Sequence, residues 1–468
     1  MGAQVERREL VIIGGGPGGY AAAFMAADLG LQVALVDPEA NPGGVCLYRG
    51  CIPSKALLHV AELIEQAKDA SALGVSFGEP EIDAAKLREW KDGVVNKLTG
   101  GLGHLAERRD VEYVRGRAQF EDHRTLRIEG ADGPGRIEFR HAIIATGSEP
   151  TALPGLPLDS HAIWSSKEAL ELSEVPERLL VVGGGYIGLE MATVYNALGS
   201  EVTVVEATPG LLPGVDRDLV EPLAKRLKAR LHAVHLETKV SDASQLEQGA
   251  EVVLHGPDVD DEKEGFDRIL VAVGRRPRSV GLGLEHTRVE VGPDGFIVVD
   301  ESRQTTEPAI FAIGDVVSQP MLAHKAHHEG RVAAEVIAGR KARFEPRAIP
   351  AVVFTDPAVA WCGLTEAQAQ DEGREVEIGR FPWSASGRAL TTGRSDGLTK
   401  VLVDPDSQRV LGVGMVGPGA GELIAEAALA IEMGARAEDI ALTIHPHPTL
   451  SETLMEASED VFGEATHI

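Results

Sequence analysis

The sequence predicts an α/β protein built around two copies of one strand–helix–strand unit, followed by a mixed α+β domain. The segment "ELVIIGGGPGGYAAAFMAADLGLQVALVD" at 9–37 is echoed by "LLVVGGGYIGLEMATVYNALGSEVTVVE" at 179–206. Each copy runs from an apolar strand into G-x-G-x-x-G, then through a helix of small residues into a second strand that ends in an acidic residue. The first glycine and the acid are 23 residues apart in both copies, which predicts two Rossmann-like dinucleotide-binding domains.

The three glycines of this motif have distinct physical roles. The first permits a tight turn, the second lets a pyrophosphate approach the backbone, and the third lets the helix pack closely on the strand. The helix N-terminus then offers free N–H groups and a positive dipole to the phosphates. These glycines are Gly14, Gly16 and Gly19 in the first copy and Gly183, Gly185 and Gly188 in the second.

The acid that ends each unit is expected to accept hydrogen bonds from ribose hydroxyls. It is Asp37 in the first copy and Glu206 in the second. Glu206 would repel the 2′-phosphate of NADP, and no arginine stands beside it in "VEATPG". The second unit should therefore prefer NAD(H).

The rest of the chain alternates between helical and strand patterns. Segments 56–70 and 84–98 have apolar residues at helical spacing, whereas "VEYVRGRAQF", "TLRIEG" and "HAIIATGSEP" indicate strands. "TALPGLPL" is typical of a linker, and "IFAIGDV" places Asp315 at the end of a buried strand. From "IPAVVFTDP" onward the pattern becomes that of an α+β domain.

Composition excludes several classes of protein. A chain of 468 residues with 43% hydrophobic and 25% charged residues is an ordinary globular protein. It has no run of about 18 uncharged apolar residues, and its start, "MGAQVERREL", lacks the apolar core of a signal peptide, so we expect a cytoplasmic protein without a membrane span. The formal charge of -27 argues against nucleic acid as a partner and suits a basic protein partner.

The segment "GGVCLYRGCIPSK" places Cys46 and Cys51 close together. A structural staple, a metal clip and a redox pair are all conceivable, but in a reducing cytoplasm a close pair is more often catalytic or metal-binding than structural. In a regular helix their Cα atoms would be roughly 8–9 Å apart, beyond the reach of a disulfide, about 7 Å. A bonded pair therefore requires a bent backbone, which Gly50 permits.

The residues after the pair indicate where it lies in the fold. Pro53 fits the first turn of a helix that continues through "SKALLHVAELI". Cys51 then lies near a helix N-terminus, where the dipole and the charge of Lys55 stabilise a thiolate. This arrangement favours electron exchange.

Metal binding has less support in the sequence. Cys362 lies in the apolar, strand-like "AWCGLTE" and is expected to be a buried small hydrophobe. The three histidines of "HKAHHEG" stand at near-helical spacing without a neighbouring carboxylate or thiolate, which favours ordinary helix packing. We therefore predict no metal site.

Together these motifs resemble the pyridine nucleotide-disulfide oxidoreductases, and within that family the members that oxidise dihydrolipoyl groups. The resemblance covers nearly the whole chain, including the cysteine segment, "ATGS", "VAVGRRP", "IFAIGDVVSQPMLAHKA", "FTDPAVAWCGLTE", "FPWSASGRAL" and "IHPHPTLSE". It implies a homodimer that uses FAD and NAD. The implied domains are an FAD-binding domain with the redox disulfide at 1–150, an NAD-binding domain at 151–280, a central domain completing the FAD site at 281–350, and a dimer-interface domain with the catalytic histidine at 351–468.

The resemblance also assigns cofactor contacts, position by position. The implied FAD residues are Gly14, Gly16, Gly19, Asp37, Lys55, Ala118, Gly147, Asp315 and Ala323. The implied NAD residues are Gly183, Gly185, Tyr186, Ile187, Gly188, Glu190, Glu206, Val240 and Gly274.

Catalytic roles follow from the same resemblance. Cys51 is the thiol that faces the flavin, and Cys46 is the one that exchanges with the substrate sulfur. Exchange needs a thiolate, so a base is required. "HPHPTLSE" supplies His447, with Glu452 to orient it and stabilise its charge, and the family takes this pair from the opposite subunit. For His445 a packing role is favoured.

The family also pairs the counterparts of Lys55 and Glu190 next to the flavin ring, where a cation would stabilise reduced flavin. The expected macromolecular partner is the lipoyl-bearing acyltransferase core of a 2-oxoacid dehydrogenase complex, or the lipoyl protein of glycine cleavage. Glutathione-type reductases are disfavoured by Glu206, and mercuric reductases by the lack of a C-terminal cysteine pair. A non-catalytic assembly subunit is disfavoured by the four intact catalytic residues.

The chain departs from the family pattern at a few positions. Tyr48 and Arg49 stand where the family usually has Asn-Val, which adds bulk and charge between the cysteines. Asp37 replaces a usual Glu, Ala118 a usual Gly, and Pro446 a usual Ala. None of these changes removes a reacting group.

Overall fold

A computed structural model describes residues 5–130, 135–156, 160–259 and 263–468. The strands are β1 (Val5–Ile13), β2 (Val33–Asp37), β3 (Glu112–Arg115), β4 (Arg117–Phe120), β5 (Thr125–Glu129), β6 (Arg136–Ile144), β7 (Ser148–Pro150), β8 (Ile163–Trp164), β9 (Arg178–Val182), β10 (Glu201–Val205), β11 (Ala233–His235), β12 (Lys239–Gln245), β13 (Ala250–His255), β14 (Lys263–Phe266), β15 (Arg268–Val271), β16 (Arg275–Pro277), β17 (Ile310–Ala312), β18 (Ala351–Val353), β19 (Ala358–Gly363), β20 (Glu377–Pro382), β21 (Leu398–Val403) and β22 (Val410–Gly417).

The α-helices are α1 (Pro17–Asp28), α2 (Gly44–Arg49), α3 (Cys51–Asp69), α4 (Ala84–Glu107), α5 (Ser166–Glu171), α6 (Tyr186–Ala197), α7 (Arg217–Arg230), α8 (Ala323–Ile337), α9 (Glu366–Glu372), α10 (Gly387–Thr391), α11 (Ala420–Met433), α12 (Ala437–Ala441) and α13 (Glu452–Asp460). Short 3-10 helices cover Ala70–Leu73, Leu284–His286, Gly314–Val316 and Trp383–Ala385.

The chain divides into two compact units, which are described separately. Unit 1 consists of the chain up to Ala56, Ala85–Thr151 and Gly274–Glu345. Unit 2 consists of Leu57–Ala84, Ala152–Val273 and Pro346–Ile468. The finer division into four domains stays a prediction.

The main sheet of unit 1 has the strand order β3-β2-β1-β6, with β17 also paired to β6. These pairs are parallel, and antiparallel β5 and β4 extend the sheet beyond β6. Leu10, Ile12 and Leu35 have no solvent exposure. The strands of a parallel sheet are covered on both faces, which explains their near-continuous apolar sequence.

Helices α1 and α8 pack against each other in unit 1. A Cβ added to Gly330 would lie 2.4 Å from the carbonyl oxygen of Gly18, and one added to Gly18 would lie 3.0 Å from that of Ala326. Glycine at both contact points therefore lets the first glycine-motif helix approach α8 closely.

Unit 2 contains the second copy of the repeat. Its parallel sheet has the order β11-β10-β9-β15-β8. The antiparallel β12-β13-β14 sheet packs on it, since Val252 and Phe266 share a buried cluster with Leu180 and Ile269. The prediction of two strand–helix–strand units is confirmed.

The C-terminal part of unit 2 is an antiparallel sheet of order β18-β19-β22-β21-β20, packed against α11 and α13. This is the α+β domain that the sequence predicts. Cys362 on β19 is 1% exposed, and burial raises the pKa of its thiol to about 12. Its predicted role as a buried small hydrophobe is confirmed.

One helix is longer than expected. The predicted helix at 84–98 continues to Glu107, through Gly100, Gly101 and Gly103. A Cβ on Gly103 would lie 2.2 Å from the side-chain oxygen of Asn41, so close packing here outweighs the low helix propensity of glycine. None of the helices in the described ranges has the length and apolar character needed to cross a membrane.

Candidate active site

The two glycine motifs fold alike. Gly14 and Gly183 adopt φ values of +107° and +114°, which L side chains rarely adopt. A Cβ added to Gly19 would lie 1.8 Å from the carbonyl oxygen of Gly14, and one added to Gly188 would lie 2.1 Å from that of Gly183. The first and third glycines of each motif are therefore required by the fold itself.

The second glycine of each motif has a different explanation. A Cβ on Gly16 would meet only Gly44, at 4.0 Å, and a Cβ on Gly185 would have no neighbour within 4 Å. Each of the two is the N-cap of its helix and provides no side-chain cap. Because packing does not require these glycines and the first N–H groups of α1 and α6 lack a side-chain cap, both turns fit a bound pyrophosphate.

The two terminal acids are held in the same way. Asp37 accepts hydrogen bonds from the N–H groups of Gly15 at 2.6 Å and Glu39 at 2.9 Å. Glu206 accepts from Gly184 at 2.6 Å and Thr208 at 2.8 Å. Burial raises the pKa of Asp37 against the opposing effect of its two backbone hydrogen bonds. Each carboxylate oxygen has a second lone pair for a ribose hydroxyl.

Asp315 lies in the 3-10 turn after β17 and is bonded to distant parts of unit 1. Ser148 Oγ donates to its Oδ2 at 2.6 Å, and Arg275 Nε donates to Ser148 Oγ at 2.8 Å. Arg275 also donates to the carbonyl oxygen of Ser148 at 2.8 Å. This chain fixes the orientation of the Asp315 carboxylate.

A buried charge cluster supports the same turn. Glu329 has no solvent exposure and accepts a 2.6 Å hydrogen bond from the N–H of Gly314. Arg303 and Lys325 lie 3.2 and 3.4 Å from the same carboxylate. Burial lowers the pKa of Lys325, although the charge of Glu329 acts in the opposite direction.

The other predicted cofactor residues lie at turns and element ends. In unit 1, Ala118 is on β4, the last strand in the sheet order, Gly147 precedes β7 with φ +71°, and Ala323 begins α8. Lys55 is in the first turns of α3, and Gly274, with φ +122°, precedes β16.

The remaining predicted NAD residues belong to unit 2. Tyr186 and Ile187 form the first turn of α6, and Val240 lies on β12. Glu190 is only 3% exposed and accepts a 3.1 Å hydrogen bond from the N–H of Phe354. The predicted pairing of Lys55 with Glu190 stays a prediction.

The cysteine segment is bent where the sequence predicts. Cys46 lies in α2, Cys51 begins α3, and Gly50 between them breaks the helix with φ −148° and ψ −115°. Pro53 falls in the first turn of α3, as expected. Both cysteines are thiols in this structure, with Cys51 the more exposed.

The two thiols are in direct contact. A hydrogen bond to Cys51 and burial raise the pKa of the Cys46 thiol, whereas the positive charge of Lys55 and the N–H of Cys51 act to lower it. Lys55 and the N–H of Cys51 would therefore stabilise a Cys46 thiolate. Burial and the Cys51 thiol oppose ionisation of Cys46 and have the larger effect.

Tyr48 and Arg49 attach this segment to the loop after β2. The Tyr48 hydroxyl donates to the carbonyl oxygen of Asn41 at 3.0 Å and accepts from its N–H at 3.2 Å. Arg49 forms an ion pair with Glu39. Tyr48 and Arg49, the two residues that depart from the family pattern, therefore hold the cysteine segment against the loop that follows Asp37.

In unit 2 the predicted base and its partner are hydrogen-bonded. Nδ1 of His447 lies 2.8 Å from Oε1 of Glu452, and Oε2 accepts from the N–H of Thr449 at 2.8 Å. Burial alone would raise the pKa of Glu452, but the hydrogen bonds from Thr449 and His447 outweigh it and lower that pKa. A carboxylate can only accept, so Nδ1 carries the hydrogen and Nε2 keeps a lone pair.

A metal-like arrangement of acids occurs elsewhere in unit 2. Within the described ranges, Asp216, Asp218 and Glu366 are grouped as metal ligands could be, with ligand atoms within 4.8 Å of one another. The ammonium group of Lys400 lies 2.8, 2.7 and 3.0 Å from these three carboxylates. Arg380 also pairs with Asp218 and Glu366. Two basic side chains therefore offset the charge of the group, and we assign it as an ion-pair cluster. The three histidines of 324–330 lie on α8, the predicted helix.

Comparison with known families agrees with this geometry. Residues 8–330 match the model of the pyridine nucleotide-disulphide oxidoreductases, and residues 349–458 match the dimerisation domain of the same family. The chain belongs to the pyridine nucleotide-disulphide oxidoreductases. As a member of this family it is an oxidoreductase, and its C-terminal domain makes it a homodimer.

Individual relatives extend over almost the whole length. The chain is 48% identical to a dihydrolipoyl dehydrogenase of Vibrio cholerae, covering 99% of this chain and 97% of the relative. It is 49% identical to one of Haemophilus influenzae, covering 99% and 96%. Among solved structures it resembles LpdA of Mycobacterium tuberculosis, with a TM-score of 0.88, 26% identity and coverage of 97% and 99%.

Several residues of this family member were not singled out from the sequence. Ser148 and Arg275 lie in the quoted segments "ATGS" and "VAVGRRP", but nothing in either segment indicates that Arg275 donates to Ser148 and Ser148 to Asp315. Tyr20 of α1 was also missed: burial, with the charges of Cys46 and Cys51, raises its pKa to about 12. A small-residue helix offers no sequence signal for that proximity.

Proposed function

We propose that the chain is a dihydrolipoyl dehydrogenase, which oxidises dihydrolipoyl groups to the disulfide with NAD⁺ as the final acceptor. The observation that carries the proposal is the His447–Glu452 hydrogen bond at 2.8 Å, in a chain that also holds two thiols in contact across a helix break. A thiol base and a dithiol pair are what exchange with a dithiol substrate requires. The relatives described above bear this name and align over nearly the full length.

FAD and NAD are the cofactors of the family, and the residues of this chain fit both. For FAD, the open turn at Gly16, the carboxylate of Asp37 and the fixed carboxylate of Asp315 would hold the pyrophosphate, a ribose and a further hydroxyl-bearing part. For NAD, the open turn at Gly185 and the carboxylate of Glu206 would hold the pyrophosphate and a ribose in the same way. When bound, FAD supplies two-electron transfer between the protein dithiol and NAD⁺.

The chain's own thiols would perform the exchange with the substrate. With the protein pair oxidised, a substrate thiolate attacks the sulfur of Cys46, and the Cys51 sulfur leaves as a thiolate. The second substrate thiolate then attacks the mixed disulfide, which releases Cys46 and forms the substrate disulfide. The substrate loses two electrons and two protons, and the two electrons reside on the Cys46–Cys51 pair.

His447 would take the proton from the substrate thiol. Its Nδ1–H is occupied by Glu452, so Nε2 is the atom that receives the proton. Glu452 then balances the positive charge of the imidazolium, because its lowered pKa keeps it ionised. In the homodimer this base would act on the cysteine pair of the opposite subunit.

The substrate carrier would be the lipoyl-bearing acyltransferase core of a 2-oxoacid dehydrogenase complex, or the lipoyl protein of glycine cleavage. The net charge of -27 supports attachment through a basic surface of that partner. A cytoplasmic location is part of the same proposal.

Steady-state turnover of dihydrolipoamide with NAD⁺ by the purified, FAD-loaded dimer tests the proposal. We expect turnover, together with a flavin spectrum that gains a long-wavelength thiolate-to-flavin band after anaerobic NADH. A flavin-containing dimer that is reduced by NADH but does not oxidise dihydrolipoamide would overturn it in favour of a non-catalytic assembly role or another substrate.

A further inference from the structure

A second histidine stands two residues before the proposed base. Nδ1 of His445 lies 2.8 Å from the carbonyl oxygen of Thr443, and Nε2 lies 2.9 Å from Oε1 of Glu426 on α11. The His445 side chain is only 4% exposed, whereas that of His447 is 75% exposed. The buried ring with both nitrogens engaged is therefore His445.

Both ring nitrogens of His445 are engaged by groups of its own chain. A backbone carbonyl oxygen and a carboxylate oxygen both accept hydrogen bonds, so the ring is held between Thr443 and Glu426. His447 is hydrogen-bonded to Glu452 through Nδ1. Its Nε2 is therefore the atom available as a base.

The exposed base has few contacts of its own to fix its position. On its C-terminal side, the Thr449 N–H is bonded to Glu452, and the Thr449 hydroxyl donates to the carbonyl oxygen of Pro446 at 2.7 Å. On its N-terminal side the first anchor is His445. Pro446 between them has a φ fixed near −65°, which removes one of the backbone rotations that separate His445 from His447.

We propose that His445, held by its hydrogen bond to Glu426, is a positioning residue that orients His447 for proton abstraction from the substrate thiol. The inference rests on the proposed function, since it concerns the same base. It assigns His445 more than the packing role expected from the sequence, because the hydrogen bond to α11 holds the backbone that presents the base. Pro446, which replaces a usual alanine, makes this connection stiffer in the present chain.

Three variants test the assignment without touching the base. Glu426→Ala removes the anchor, and Glu426→Gln keeps a hydrogen-bonding group that can pair with His445 in either proton state. Glu422→Ala is the matched control, because Glu422 is an exposed carboxylate one turn earlier on α11. All three are compared as FAD-loaded dimers.

We expect Glu426→Ala to lower kcat for dihydrolipoamide by about 10- to 100-fold, as misplacement of a catalytic group does, with a much smaller change in KM. Reduction of the enzyme by NADH in stopped flow should stay at the wild-type rate, because it does not use His447. Glu426→Gln should recover most of kcat, and Glu422→Ala should match the wild type. In solid-state ¹⁵N spectra of histidine-labelled protein, the ring signals of His445 can be assigned by their loss in His445→Gln. These signals should shift in Glu426→Ala and keep their wild-type positions in Glu422→Ala.

Wild-type kcat in Glu426→Ala, or unshifted His445 ring signals in that variant, would overturn the positioning role. Equal losses in Glu426→Gln and Glu426→Ala would also contradict it, since the hydrogen bond would then not be what matters. Failure of the proposed function looks different: the wild-type enzyme itself would not oxidise dihydrolipoamide, whereas the ¹⁵N spectra would still report whether His445 is bonded to Glu426.

Discussion

Nδ1 of His447 lies 2.8 Å from Oε1 of Glu452, and both residues lie within eight positions of the buried His445. This hydrogen bond fixes the hydrogen on Nδ1 and leaves Nε2 as the basic atom. His445 cannot serve as the base in the same way, because both of its ring nitrogens are engaged by Thr443 and Glu426.

Replacing His447 by Gln should slow dihydrolipoamide oxidation by about 10²–10⁴-fold, the usual cost of losing a general base. We expect FAD content and dimerisation to persist, because the substitution removes the base and not the backbone that carries it, and both are measured as controls. Steady-state kinetics with dihydrolipoamide and NAD⁺ measures the effect. A nearly silent His447→Gln variant would show that the base has been assigned to the wrong residue.

Replacing Glu452 by Gln should slow the same reaction by about tenfold, less than loss of the base. Both oxygens of Glu452 accept from N–H groups, so the NH₂ of a glutamine must face either His447 or Thr449. The variant therefore disturbs orientation and removes charge support, but it keeps the imidazole. The kcat of the two variants should be compared at one pH, and a larger loss in Glu452→Gln would contradict this order.

Replacing Cys46 by Ser should abolish lipoamide turnover and leave flavin reduction by NADH intact, because only the former needs thiol exchange. Cys362→Ala is the matched control, since Cys362 is 1% exposed on β19 and belongs to a different part of the chain. Anaerobic stopped-flow spectra and steady-state assays separate the two half-reactions. Normal lipoamide activity in Cys46→Ser would refute the redox-pair assignment.

Glu206 should set the choice of nucleotide. Its two oxygens are fixed by Gly184 and Thr208, and a 2′-phosphate at the ribose would meet a like charge costing several kcal/mol, so kcat/KM should favour NAD⁺ over NADP⁺ by at least about 100-fold. Glu206→Ala should narrow that ratio, and Glu201→Ala, at the exposed start of β10, should leave it unchanged. Equal kcat/KM for the two nucleotides in the wild type is the contrary result.

Lys400→Met should destabilise the protein by about 3–5 kcal/mol, because it leaves a group of carboxylates without its buried cation. The Lys400 side chain is 1% exposed and lies within 3.0 Å of three carboxylates. Denaturant unfolding of the FAD-loaded dimer measures the loss, with exposed Lys225→Met on α7 as the control. A loss no larger than in the control would show that the cluster contributes nothing.

The same cluster gives a pH dependence. Burial alone would lower the pKa of Lys400, but its carboxylate partners outweigh burial and raise that pKa. Burial raises the pKa of Asp216, and the hydrogen bonds from Lys400 and Glu366 outweigh that effect and lower it. The wild-type advantage over Lys400→Met should therefore be constant from about pH 5 to pH 10, shrinking below about pH 4 as Asp216 protonates and above the ordinary lysine pKa, about 10.4.

The sequence alone was sufficient to predict those features that depend on a few consecutive residues. The positive φ of Gly14 and Gly183, the open turns at the second glycines and the helix break at Gly50 each follow from a few consecutive residues. The His447–Glu452 pair also lies within one short segment. In these places residue type and spacing already restrict the backbone to one arrangement.

The sequence by itself determined two dinucleotide-binding units, a bent cysteine pair and a histidine with its acid. Only the tertiary structure decided which distant side chains support them. Ser148 meets Asp315 across 167 positions and Lys400 meets Asp218 across 182, and His445 reaches Glu426 on another element. No pattern in the sequence predicts such pairs, because a buried polar group bonds to whichever partner the packing of the chain brings within hydrogen-bond distance.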